Sequence, residues 1–172
     1  LFGETHFEPI LLLSAPVYAL WPRLEALFLV QSTLLALGAL GVYRLVRGAP
    51  ASALAALAGA AAYLLWWPLW RFALADLRPL TWALPLLLLM VAALREERRR
   101  EAFLWGLMAC CCREEIPLLV LFTCLGTLAW RDRPRRLPVL LALAAVLFAV
   151  TTTALRSNAT FYIQPSALLD SL

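Results

Sequence analysis

Apolar residues run along this chain in long blocks separated by short charged stretches. The block at 24–46 is long enough for a helix to cross a bilayer's hydrocarbon core, which takes about 20 residues. The block at 51–73 is Ala-rich first and Trp-rich last (Trp66, Trp67, Trp70), and predicts a second span closed by Arg71. Residues 79–94 predict a third. Residues 102–112 and 116–130 are two shorter apolar pieces, split by Arg113-Glu114-Glu115, and 137–155 predict the last helix before a polar outer tail at 156–172. Residues 10–22 are apolar but too short to span, and Pro16 and Pro22 interrupt them. They predict an interfacial helix with Tyr18 and Trp21 at headgroup level. Residues 1–9 read as an outer loop. The chain, 1–172, therefore reads as a single all-α transmembrane domain: a polytopic helical bundle of about six membrane-inserted helices plus one interfacial helix.

Composition supports this pattern. Of 172 residues, 63% are apolar and 15% charged, with a mean hydropathy of +0.82. Soluble domains are about half apolar and about a quarter charged. A soluble globular enzyme, a disordered tail and a fibrous repeat are excluded. All 15 basic residues are arginine, a bias that suggests a GC-rich bacterial genome. The net charge of +4 sits between the apolar blocks, where it orients a chain in a membrane and does not point to nucleic acid.

The turns at 44–50, 95–101 and 131–136 hold Arg44, Arg47, Arg95, Arg98, Arg99, Arg100, Arg131, Arg133, Arg135 and Arg136, ten of the fifteen arginines. The positive-inside rule puts these turns in the cytoplasm, in a multi-pass arrangement in a bacterial cytoplasmic (inner) membrane. His6, the 74–79 loop and the tail then lie outside. A single span over 102–130 would force 131–136 outside as well. A hairpin avoids this: 102–112 rises, the chain turns at Arg113-Glu114-Glu115, and 116–130 descends, with arms of about 16 and 22 Å. Pro117 suits the first turn of the second arm, and Glu114 and Glu115 complement its dipole.

Four cysteines are present, with Cys110, Cys111 and Cys112 consecutive and Cys124 apart. Neighbours on a helix point about 100° apart and do not converge on one ion, so they read as small apolar packing residues and not as a metal site. The chain does not open on Met and its start lacks a signal peptide's features, so it reads as a piece of a longer protein.

Three polar clusters fall on the outer side: Glu4-Thr5-His6-Phe7-Glu8-Pro9, Asp76-Leu77-Arg78-Pro79 and Arg113-Glu114-Glu115. Ionisable groups near membrane depth are costly and point to function. The plainer alternative is solvated loop residues and loop ion pairs. Together the clusters suit an anionic lipid substrate. Arg78 and Arg113 offer forks for phosphate, with Asp76, Glu114 and Glu115 completing the substrate-binding set. His6 and Glu8 are the catalytic candidates: they could deprotonate an acceptor or hold a divalent cation on a diphosphate. No Gly-rich phosphate cradle, Gly-x-Ser-x-Gly or zinc-spaced His pair is present, so ATP-driven and serine-hydrolase chemistry have no support.

The run His6-Phe7-Glu8-Pro9-Ile10-Leu11-Leu12-Leu13, then Ala15-Pro16-Val17-Tyr18, Gln31, Leu37-Gly38-Ala39-Leu40 and Tyr43-Arg44, resembles an uncharacterised bacterial membrane-protein family, domain of unknown function two-zero-seven-nine. The resemblance covers nearly the whole chain. Family members tend to carry Ser where this chain has Glu8, Phe-His-Pro at Leu77-Arg78-Pro79, and Arg-Glu-Asp at Arg113-Glu114-Glu115. That family is in turn similar to the GT-C glycosyltransferases, such as protein mannosyltransferases and lipid A aminoarabinose transferases. The resemblance implies a polyprenyl-phosphate sugar donor as well as membrane lipid as partners, and sugar transfer at the outer membrane face. It implies a catalytic acid in an outer loop upstream of His6-to-Pro9, with Arg113 and Arg78 on the departing phosphate. The replacement of the usual His by Arg78 bears on whether this chain is active. The alternatives are a transporter or flippase for a lipid or small anion, or a non-catalytic membrane subunit.

Overall fold

The computed structural model describes residues 9–75, 78–128 and 136–159. Among them every regular element is a helix. The apolar block opened by Arg23 and Glu25 and closed by Arg44 and Arg47 becomes α2 (Leu24–Arg47), with an acidic residue in its first turn and basic ones in its last, matching the helix dipole at both ends. Among the described residues, α2 is the helix that by length and composition can cross a membrane alone.

Ahead of it, the expected interfacial helix is divided. A 3-10 helix (Pro9–Leu13) is followed by α1 (Ala15–Leu20). The division falls at Ser14, whose hydroxyl donates to the Leu11 carbonyl at 2.6 Å. Pro16 lies in the first turn of α1, and Pro22 follows its end.

The expected single span at 51–73 is two helices, α3 (Ala53–Leu65) and α4 (Trp67–Ala75), bent by 48°. Pro68 is the cause. It has no N–H for the Leu64 carbonyl four residues back, and its ring crowds that carbonyl. The indole Nε1 of Trp70 donates to Leu64 O instead, at 2.7 Å. The bend therefore leaves no orphaned carbonyl there. The pair qualifies as one crossing only when counted together.

The remaining elements follow the sequence closely: α5 (Pro79–Arg95), α6 (Arg99–Cys110), α7 (Ile116–Leu128) and α8 (Arg136–Ala159). Helix α5 is the centre of the bundle, with Trp82, Leu86, Met90 and Ala93 buried one helical turn apart. Helix α2 packs on one side and α6 on the other. Gly41 makes the first contact possible: a Cβ there would lie 2.9 Å from Leu88 Cβ and 3.0 Å from the Leu88 carbonyl carbon. Gly38, a turn away, accommodates the Tyr63 phenol of α3, which donates to Leu35 O at 2.9 Å. Gly106 of α6 faces Met90 of α5 and Leu141 of α8.

Helices α6 and α7 are joined by a turn at 111–115. Val120 of α7 meets Gly106, Leu107 and Cys110 of α6 around Leu141 and Ala145 of α8. Among the described residues all four cysteines are free thiols, and Cys110, Cys112 and Cys124 are buried in the apolar core. The outer surfaces of α7 and α8 are apolar, with Leu118, Phe122, Leu143 and Leu147 exposed. A face of that kind is a liability in water and suits lipid.

Of the six membrane-inserted helices expected, length and composition support α2 and, as one broken crossing, α3 with α4. Among the described residues, Pro79–Arg95, Ile116–Thr127 and Pro138–Ala154 are shorter apolar helical stretches.

Candidate functional site

Helices α2 and α5 run in the same direction: Gln31 meets Trp82, Gly41 meets Leu88, and Arg44 meets Glu96. Helix α6 runs back along α5, with Gly106 beside Met90. The starts of α2, α5 and α7 and the end of α6 therefore share one end of the bundle. Arg78 and the Arg113 turn lie at that end.

The amino-terminal segment is fastened to the same end. The Ile10 N–H donates to the Cys111 carbonyl at 3.0 Å. The Ile10 side chain is buried in a cluster with Cys110, Cys112 and Ile116. The residue that comes directly after the His6-to-Pro9 motif is thus bonded two positions before Arg113. His6, Glu8 and Asp76 themselves lie outside the described residues, as does Glu4.

Arg113 opens the turn into α7. Its guanidinium NH2 lies 3.6 Å from Glu115 Oε1, with the arginine side chain mostly buried and the glutamate 64% exposed. The Arg113 carbonyl accepts from Ile116 N at 3.1 Å, and the Glu115 carbonyl from Leu118 N at 3.2 Å. Pro117 is buried in the first turn of α7, where its missing N–H costs nothing. Glu114 is half-buried.

Arg78 is positioned through its backbone. Its N–H donates to Gln31 Oε1 at 3.2 Å, and its carbonyl accepts from the Thr81 hydroxyl at 2.7 Å as α5 begins. The Arg78 side chain is exposed. Gln31 is fully buried, and its amide is a junction. Nε2 donates to Phe72 O at 2.9 Å and to Ala73 O at 3.4 Å. Oε1 accepts from Trp82 Nε1 at 3.3 Å as well as from Arg78. One side chain of α2 thereby fixes the end of α4, the start of α5 and the backbone of a candidate phosphate ligand. In the angle between α3 and α4 a groove of about 320 Å3 opens, walled by Ser32, Leu35 and Ala36 of α2 and by Leu64, Leu69 and Trp70.

The opposite end carries a charge cluster. Arg44 donates from Nε and NH2 to both carboxylate oxygens of Glu96, at 2.9 and 2.7 Å, and from NH2 to Glu101 at 2.9 Å. Arg98 contacts Glu96 at 3.0 Å and Glu101 at 2.9 Å. The Arg44 guanidinium holds the Glu96 carboxyl below the usual carboxylate range. The turns at 44–50 and 95–101, expected on one side of the membrane, are joined here.

Helical content and lipid-suited outer faces agree with one comparison. Residues 2–168 match the family model described as Predicted membrane protein (DUF2079). The chain belongs to that family. No curated protein and no solved structure matches it.

For this DUF2079 chain, two features went unread in the sequence as parts of a site. Gln31 was visible as an amide side chain inside an apolar block, a residue type that calls for partners in a membrane. Its partners, 41 to 51 positions away, were not visible. The Arg44–Glu96–Glu101 cluster was visible only as orienting charge. Among the described residues no group of three or more His, Cys, Asp or Glu side chains could hold a metal ion.

Proposed function

We propose that this protein, in its full-length form, transfers a sugar from a polyprenyl-phosphate donor at the outer face of a bacterial cytoplasmic membrane, with the α6–α7 hairpin and α8 inserted alongside α2, α3–α4 and α5. The observation that carries the reading is the Ile10–Cys111 hydrogen bond, which fastens the end of the His6-to-Pro9 motif to the Arg113 turn. His6 and Glu8 stand three residues and one residue before Pro9 in the sequence.

In this mechanism a carboxylate of an outer loop removes a proton from the acceptor. The acceptor attacks the anomeric carbon with inversion, the glycosidic C–O bond to the lipid phosphate breaks, and the phosphate leaves with the electron pair. Arg113 and Arg78 stabilise the charge that develops on the phosphate. His6 and Glu8 position the acceptor or a divalent cation, while Asp76, Glu114 and Glu115 orient the two guanidinium groups. The groove at the α3–α4 bend suits a lipid tail.

The test is transfer from a polyprenyl-phosphate sugar by the reconstituted full-length protein. Arg113→Ala should cost about a hundredfold or more in turnover. Unchanged turnover removes Arg113 from the mechanism. Single cysteines at 78 and 113, in a background without the native ones, should label from outside right-side-out vesicles. Labelling from opposite sides overturns the reading. The broken α3–α4 crossing favours a second reading, a lipid transporter or flippase, since discontinuous helices mark transport sites. Movement of an intact lipid-linked substrate between leaflets, without sugar transfer, would select it.

A further inference from the structure

The end of the bundle that carries the Arg44–Glu96 cluster also holds an open groove of about 580 Å3 between the start of α6 and α8. It is lined by Arg99, Arg100, Phe103, Leu104 and Leu140. Its chemistry is layered. Phe103 and Leu104 lie one helical turn below Arg99 and Arg100, and Leu140 closes the floor from α8. All three apolar side chains are exposed, at 41%, 57% and 60%.

Among the described residues the charge in this groove is unbalanced. Glu96 and Glu101 are already held by Arg44 and Arg98. Arg99 and Arg100 make no ion pair among the described residues. They also sit in the first turn of a helix, where the dipole disfavours cations, and the N-cap Arg98 supplies no side-chain cap. Two guanidinium forks above an exposed apolar floor match a phosphate diester above acyl chains.

We propose that this groove is a binding site for an anionic phospholipid of the leaflet at this end of the bundle. The phosphate is gripped by Arg99 and Arg100, and an acyl chain lies over Phe103, Leu104 and Leu140. The site is at the opposite end from the outer polar clusters and does not depend on the sugar-transfer reading.

The experiment uses the full-length protein, delipidated and reconstituted in phosphatidylcholine vesicles with or without phosphatidylglycerol. Lipid retained on the purified protein is counted by native mass spectrometry. The wild type should retain phosphatidylglycerol over phosphatidylcholine. The double variant Arg99→Gln/Arg100→Gln should weaken that retention by about thirtyfold, from roughly 1 kcal/mol per arginine. Leu140→Glu, on the other wall, should weaken it too, and it tests the site independently should the double variant not fold. Arg47→Gln, which removes an exposed charge at the same end outside the groove, should leave retention unchanged. Inorganic phosphate should not displace the lipid. Equal retention by the wild type and the groove variants, an equal loss in Arg47→Gln, or displacement by phosphate alone would each overturn the proposal.

Discussion

Arg44, in the last turn of α2, grips both carboxylate oxygens of Glu96, the residue that ends α5. The pair is separated by 52 positions in sequence and joins two helices that run side by side. Glu96→Gln leaves the partly buried guanidinium with a weaker acceptor. Expected is a loss of about 1–2 kcal/mol, read as a lower thermal midpoint in detergent. The pH dependence has a definite sign. A carboxyl held low in the folded state adds stability above its unfolded value of about 4.3, and that stability fades as pH falls through the folded value. The wild type should therefore lose stability below about pH 4.3 more steeply than Glu96→Gln. Parallel curves would remove the pair from the acid response.

Gln31→Leu keeps the volume and removes the junction. It strands Trp82 Nε1, the Arg78 N–H and the Phe72 carbonyl in an apolar setting. Each stranded group costs about 1–3 kcal/mol. The variant should unfold earlier, with a shift in tryptophan emission as the Trp82 environment opens. A midpoint within error of the wild type would show that water takes over these bonds.

Gly41→Val drives a side chain into the Leu88 backbone of α5, which cannot give way as a flexible side-chain tip would. A loss of about 1–3 kcal/mol is expected from forced separation of α2 and α5. Gly126→Ala, where nothing lies within reach of the new Cβ, is the control and should be neutral or slightly stabilising. Equal effects at the two positions would contradict the close approach.

Pro68→Ala restores a donor for the Leu64 carbonyl and removes the ring that crowds it. The 48° bend should relax, lengthening the distance between spin labels on the exposed positions Leu57 and Leu74. An unchanged distance would place the cause of the bend in the packing of α2 and not in the proline.

Helix positions were largely legible, because each apolar block is bounded by charge or proline. Arg23 to Arg47 marks α2 to within a residue, and Arg113-Glu114-Glu115 marks the division of α6 from α7. The break at Trp66 was hidden, since hydropathy does not fall there. Pro68 is the signal for it, but it stands among tryptophans inside an unbroken apolar block. Of the candidate site, Arg78 and Arg113 fall at a common end of the bundle. The bonds of Gln31 to Phe72, Ala73, Arg78 and Trp82 could not be read, because hydrogen bonds between helices leave no periodic trace along the chain.

The backbone bond from Ile10 to Cys111 also dictates an order of assembly. Its acceptor belongs to the turn after α6, so the segment around Ile10 cannot find its resting place until α2 through α6 have been synthesised. The first described turn of the chain therefore waits, unfastened, for an acceptor that is made several helices later.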